Sequence, residues 1–223
     1  MSLHGKNSNG TFSEEFVGCW LLLVVCYNQL PTTNYQPTQG EKMTRLKLAT
    51  VWLGGCSGCH MSFLDLDEWL FDLAAQVDLV YSPFMDTKEY PEGVDVVLIE
   101  GAIANEEHLH MIKTVRERSQ ILISFGDCAV TGNVTALRNP LGSAEPVLQR
   151  CYIEAADIHP QIPQEPGIVP QLLDRVTPVH AVVPVDIYLP GCPPSATRIK
   201  AALEPILHGE TPQLAGREFI KFG

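Results

Sequence analysis

Three short apolar runs, Leu46 to Leu53, Ile121 to Phe125 and Val185 to Leu189, each run into a glycine within a residue or two and then reach cysteine. Runs of this length and composition read as buried strands. The first leads to Cys56-Ser57-Gly58-Cys59, the second to Gly126-Asp127-Cys128, and the third to Pro190-Gly191-Cys192-Pro193-Pro194. In an open parallel sheet the carboxyl ends of the strands share one edge, where ligands bind. A chain folded this way brings Cys56, Cys59, Cys128 and Cys192 together, although they are far apart in sequence. A Cys₄ set is the usual ligation of a 4Fe–4S cluster.

The rest of the pattern supports such a sheet. Asp78 to Ser82 and Val94 to Ile99 add two strands, the latter almost continuous in Val, Leu and Ile, as parallel strands buried on both faces are. Helical periods alternate with the strands. Phe63, Leu66, Leu70 and Leu73 form an apolar stripe within a predicted helix from His60 to Ala75, while Asp65, Glu68 and Asp72 share another, solvated face. Asn105 is placed to cap a helix reaching about Arg118, and Pro194 suits the first turn of a helix to about Leu207. The expected fold is therefore α/β, a doubly wound parallel sheet of about five strands, flavodoxin-like in order. Residues 138–184 interrupt it with eight prolines, a long insertion of largely irregular backbone. Ile158, Ile162, Ile168, Val169 and Leu172 make this insertion too apolar for a free tether, so an arm packed on a partner subunit is expected.

A chain of 223 residues with net charge −11 is large enough for one sizeable core. The charge argues against a nucleic-acid surface and against docking on an anionic membrane. Seven cysteines, an odd number without regular spacing, do not form a disulfide framework and fit thiolates binding metal in a reducing compartment. Cys151, with no Gly or Pro beside it, is expected to be a buried free thiol. Residues 1–42 read as a leader or disordered extension and residues 43–223 as the folded domain, with Met43 as the expected biological start. The apolar run Phe16 to Tyr27 is too short to cross a bilayer, which takes ~20 residues. It also lacks the positive flank of a signal peptide, since Glu14 and Glu15 precede it.

Glycines at Gly54, Gly55, Gly58, Gly126 and Gly191 let backbone approach a bulky cofactor, and the following helices turn free N–H groups toward the same edge. A lone C-x-x-C pair is a weak signal, compatible with a redox dithiol or half a zinc site. With His60 it also spells the attachment pattern of c-type haem. Zinc on all four cysteines is a further alternative. Buried structural cysteines account for any one position but poorly for four beside glycines at strand ends.

From Met43 to Gly223 the chain resembles the small subunit of nickel–iron hydrogenases, most closely the short small subunit of the cytoplasmic, bidirectional, NAD-coupled type of cyanobacteria. This group falls within the superfamily of the NADH–quinone oxidoreductase 20 kDa subunit. The matching segments are Trp52-Leu53-Gly54-Gly55-Cys56-Ser57-Gly58-Cys59-His60, Ser62-Phe63-Leu64-Asp65, Glu100-Gly101-Ala102-Ile103, Gly126-Asp127-Cys128-Ala129 and Gly191-Cys192-Pro193-Pro194. The resemblance implies that Cys56, Cys59, Cys128 and Cys192 hold one 4Fe–4S cluster, and that the catalytic nickel–iron site lies on a separate large subunit. Glu100 matches an acidic residue near the cluster in relatives, with a role as reserve ligand, proton relay or simply a paired carboxylate. The implied partners are the large subunit and diaphorase subunits carrying flavin, NAD and iron–sulfur groups. The implied activity is hydrogen:NAD⁺ oxidoreduction, with no catalytic residue on this chain. Flavin mononucleotide is admitted by the flavodoxin-like resemblance, without a phosphate loop to hold it. Longer relatives carry a second cysteine-rich part. This sequence has no cysteine after Cys192, so one cluster and direct transfer to a neighbouring subunit are expected. The twin-arginine signal of exported relatives is missing, which implies the cytoplasm. The related quinone-type subunit has adjacent cysteines where this chain has Cys56-x-x-Cys59, so a single-cluster subunit of a quinone oxidoreductase complex is the alternative.

Overall fold

The computed structural model describes residues 45–220 and 222, so the expectations for residues 1–42, including Cys19 and Cys26, lie outside the described residues. Five parallel strands form one sheet: β1 (Leu46–Trp52), β2 (Val77–Tyr81), β3 (Val94–Glu100), β5 (Ser119–Phe125) and β7 (Ile187–Leu189), in the order β2-β1-β3-β5-β7. Counting only these five, the order is 2-1-3-4-5, the flavodoxin-like arrangement expected from the alternation of strands and helices. β3 is central, and six of its seven residues are buried, which explains its unbroken apolar sequence.

Alternate side chains feed two cores. Leu48, Leu98, Ile123, Phe125 and Leu189 pack with Phe63 of α1 (Gly58–Leu64), Leu73 of α2 (Trp69–Gln76) and Ile199 and Leu203 of α6 (Ala196–Leu207). Val51, Val97, Ile99 and Leu122 face the other way, onto Ile112 and Val115 of α3 (Glu106–Arg118). Both faces of the sheet are therefore covered, as a doubly wound fold requires. α3 begins where expected: the Asn105 side chain accepts the His108 N–H at 2.8 Å. Glu106 and Glu107 in its first turn and Arg116 and Arg118 in its last oppose the ends of the helix dipole.

Several expectations are corrected. The helix predicted from His60 to Ala75 is two helices, because the backbone tightens into three-residue turns after Phe63 and Asp67 adopts a left-handed φ of 48°. The apolar stripe survives the break, since Phe63, Leu66 and Leu73 are all buried, and Asp65, Glu68 and Asp72 are exposed as expected. The last strand is only Ile187–Leu189, and Ser195, not Pro194, stands at the cap of α6. The proline-rich insertion is more ordered than its composition suggests. It holds α5 (Glu145–Leu148), a π turn (Gln149–Glu154) and β6 (Leu172–Thr177), which pairs antiparallel with β4 (Ile103–Asn105) outside the main sheet. Arg138 ties this ribbon, donating to the carbonyls of Asp174 and Ala104 at 3.1 Å each and to that of Leu173. Cys151 is exposed, not buried, because the π turn that carries it has no buried residue. No helix among the described residues is long and apolar enough to cross a membrane.

Candidate metal centre

The register of the sheet lines up the strand ends. Trp52 pairs with Glu100, Glu100 with Phe125, and Phe125 with Leu189, so one row of residues crosses β1, β3, β5 and β7 at their carboxyl ends. Each cysteine segment leaves the sheet just beyond this row. Cys56 lies in the loop after β1, Cys59 in α1, Cys128 in α4 (Asp127–Thr131), and Cys192 in the loop after β7.

Hydrogen bonds stitch these segments to one another. The Leu53 N–H donates to the Glu100 carbonyl at 2.8 Å, and Gly54 and Ala102 exchange bonds of 2.8 and 2.9 Å. Across the other half, the Gly126 N–H reaches the Leu189 carbonyl, and the Asp127 N–H reaches the Gly191 carbonyl, both at 2.9 Å. The buried Asp127 carboxylate accepts the Gly191 N–H at 2.6 Å in return. The Ser62 hydroxyl donates to the Pro194 carbonyl at 2.5 Å, joining α1 to the Cys192 loop, whose Cys192–Pro193 peptide is cis.

Two glycines are required by this closeness. Gly126 has φ 86°, and a Cβ there would stand 2.2 Å from the Cys59 sulfur. Gly101, at φ 92°, would set a Cβ 2.8 Å from the Gly54 carbonyl carbon. Any side chain at either position would push apart the segments that carry the thiols.

The four thiols lie within electrostatic reach of one another. Burial raises the pKa of Cys59 well above the usual thiol value, and the charges of Glu100, Cys128, Cys56 and Cys192 add to the rise. Cys128 is raised by burial, then by Cys192, Cys56 and Glu100, against a lowering bond from the Val134 N–H. A cluster of mutually repelling thiols is poor as free thiolates. It becomes favourable when a cationic core deprotonates and neutralises them, because a metal-bound thiol is deprotonated outright. Donors already point at the sulfurs: the Gly58 N–H at Cys56 and the Asn133 side-chain amide at Cys192, each at 3.4 Å. Cys59 and Cys128 are buried while Cys56 and Cys192 are exposed. Among the described residues, no three His, Cys, Asp or Glu side chains are grouped as a single metal ion needs. Four thiols at one edge of the sheet, two buried and two exposed, are the donor set of an iron–sulfur cluster and equally of zinc.

Sequence reasoning did not single out His60 and Asn133 as members of this site. His60 is buried beside Glu100: its backbone N–H donates to Glu100 Oε2 at 2.9 Å, and its Nδ1 contacts the same oxygen. A histidine directly after a C-x-x-C pair, with a carboxylate at the end of a neighbouring strand, was the available signal. Asn133, with φ 33°, follows Gly132 and carried none.

Residues 56–206 match the family described as "NADH ubiquinone oxidoreductase, 20 Kd subunit". The chain is 36% identical over 190 residues to the "NAD-reducing hydrogenase HoxS subunit delta" of Cupriavidus necator, covering 83% of this chain and 90% of that protein. It is 40% identical over 171 residues to a subunit of the F420-non-reducing hydrogenase of Methanocaldococcus jannaschii, covering 76% of this chain but only 58% of that protein. Among solved structures, a chain of an NAD⁺-reducing [NiFe]-hydrogenase in the H₂-reduced state superposes with a TM-score of 0.75 at 36% identity, covering 81% of this chain and 100% of that one. The chain therefore spans little more than half the length of the Methanocaldococcus jannaschii protein and nearly all of the other two.

Proposed function

This chain belongs to the NADH ubiquinone oxidoreductase 20 kDa subunit family, and within it we propose the role of small subunit in a cytoplasmic, NAD-coupled nickel–iron hydrogenase. The observation that carries the reading is the alignment of three cysteine-bearing segments beyond one row of the sheet, which brings the four thiols close enough to act on one another. Cys56, Cys59, Cys128 and Cys192 would hold one 4Fe–4S cluster there. When bound, that group supplies reversible one-electron transfer between a hydrogen-activating large subunit and a diaphorase module.

This chain's own residues supply the seat and the electrostatics. Gly126 leaves room for the Cys59 sulfur, Asp127 fixes the Cys192 loop, and N–H donors from Gly58, Asn133 and Val134 stabilise negative charge on sulfur. The carboxyl edge, where a flavodoxin-like fold would seat a flavin, is taken by the cysteine loops, which favours the cluster over flavin mononucleotide at that edge. Met61 on α1, and Val134 and Leu137 in the turn after α4, expose apolar surface beside the cysteine-bearing elements, consistent with a large subunit covering this face.

The test is metal analysis and reduced-state EPR on the native complex, purified anaerobically through a tag on this chain. Iron, acid-labile sulfide, nickel and a co-purifying large subunit are the expected result. A Cys128→Ser variant is expected to lose most of the iron and the reduced-state signal; full iron in that variant would refute the ligand assignment. Iron and sulfide without nickel would move the reading to the quinone-type complex.

A further inference from the structure

Glu100 is 1% exposed and His60 beside it is 4% exposed, and both side chains are buried. His60 brings two groups to a single oxygen of Glu100, its backbone N–H at 2.9 Å and its ring Nδ1. The ring is held edge-on by Phe84 and Phe125, with centroids 6.0 and 6.4 Å away. Its other nitrogen, Nε2, is buried without a hydrogen-bond partner among the described residues. Of its two ring nitrogens, Nδ1 is the one that meets a partner among the described residues. The other Glu100 oxygen lies 3.5 Å from where a Cβ on Gly55 would stand, one residue before Cys56. The carboxylate is thus walled in beside the loop that begins the cysteine pair, and its charge reaches both Cys59 and Cys128. Carboxylate oxygen is itself an iron ligand. An unrestrained carboxylate here would compete with the thiolates.

We propose that His60 is a positioning residue that holds the Glu100 carboxylate out of the iron–sulfur site, so that the cluster keeps an all-thiolate ligand set. The proposal rests on the functional reading above and adds a residue to it.

The test uses the anaerobically purified complex, with iron and sulfide counts, reduced-state EPR and a potentiometric titration. His60→Leu and His60→Phe remove Nδ1, and the phenyl ring keeps the contacts with Phe84 and Phe125. Both are expected to retain iron and sulfide but to show shifted g values and a shifted midpoint potential. His60→Asn offers an amide N–H in place of Nδ1 and is expected to restore the wild-type spectrum and potential. Adding Glu100→Gln to His60→Leu is expected to restore them too, since a neutral amide is a far weaker competitor for iron. An unchanged spectrum and potential in both His60→Leu and His60→Phe overturns the proposal. So does a shift, or a loss of iron, that persists when Glu100→Gln is added. Wild-type complex without iron and sulfide would overturn the functional reading itself, whereas iron-replete wild type with unaltered His60 variants overturns only this inference.

Discussion

Single side chains at this site divide into those that would bind the cluster and those that would set its charge. Asn133 belongs to the second kind. Its amide lies 3.4 Å from the Cys192 sulfur, and N–H donors to sulfur favour the more negative, reduced state. Asn133→Ala is therefore expected to make the midpoint potential more negative, on the order of 30 mV for the loss of one weak bond of about 0.7 kcal/mol. Potentiometric EPR checks it; an unchanged or raised potential would contradict the assignment. The four cysteines could be found in the sequence because glycine and strand-end position marked them. Asn133 could not, because its reach depends on the left-handed turn at Gly132 and Asn133, which returns the chain toward the Cys192 loop. The His60–Glu100 contact was half visible: each residue stood in a recognisable segment, but the pairing depends on register between separate strands.

Strands and loops show where local pattern is enough and where it is not. β3 was legible because a central parallel strand is buried on both faces and its sequence says so. β6 was not, because Pro170 and Pro178 bracket it and its partner β4 has only three residues. The break between α1 and α2 was also hidden: the apolar stripe runs through it, and it shows only in the backbone, in the three-residue turns after Phe63 and the positive φ of Asp67. The joints between elements carry predictions of their own. Asp127 fastens the loop after β7 to the start of α4 through the Gly191 N–H. Asp127→Ala would leave that buried donor unpaired, at an expected cost of about 1–3 kcal/mol in chemical denaturation, with reduced iron occupancy. Asp127→Asn keeps an acceptor oxygen in place and is expected to lose much less. Equal losses for both variants would mean that the charge, not the bond, matters.

The chain as a whole carries a net charge of −11, and large apolar residues stand exposed among its described residues. Ile158 and Ile168, on the irregular part of the insertion, are 77% and 78% exposed. That is consistent with an arm which packs on another subunit, and the prediction is direct. Ile168→Asp is expected to weaken co-purification of partner subunits several-fold while leaving the iron content of this chain unchanged. Loss of iron together with the partners would instead tie the arm to folding.

The two cores of the sheet are built almost entirely from residues outside the cysteine site, with Cys59 the one thiol of the site among them. Most of the apolar burial therefore lies away from the thiols. Of the four cysteines, Cys56 and Cys192 are exposed while Cys59 and Cys128 are buried. That asymmetry gives the site a door, and a door imposes a schedule. On the proposed function, iron and sulfide would enter from the side that Cys56 and Cys192 leave open, and would have to do so before a partner subunit covered that face. A chain that docks while still empty would be sealed as a dead end.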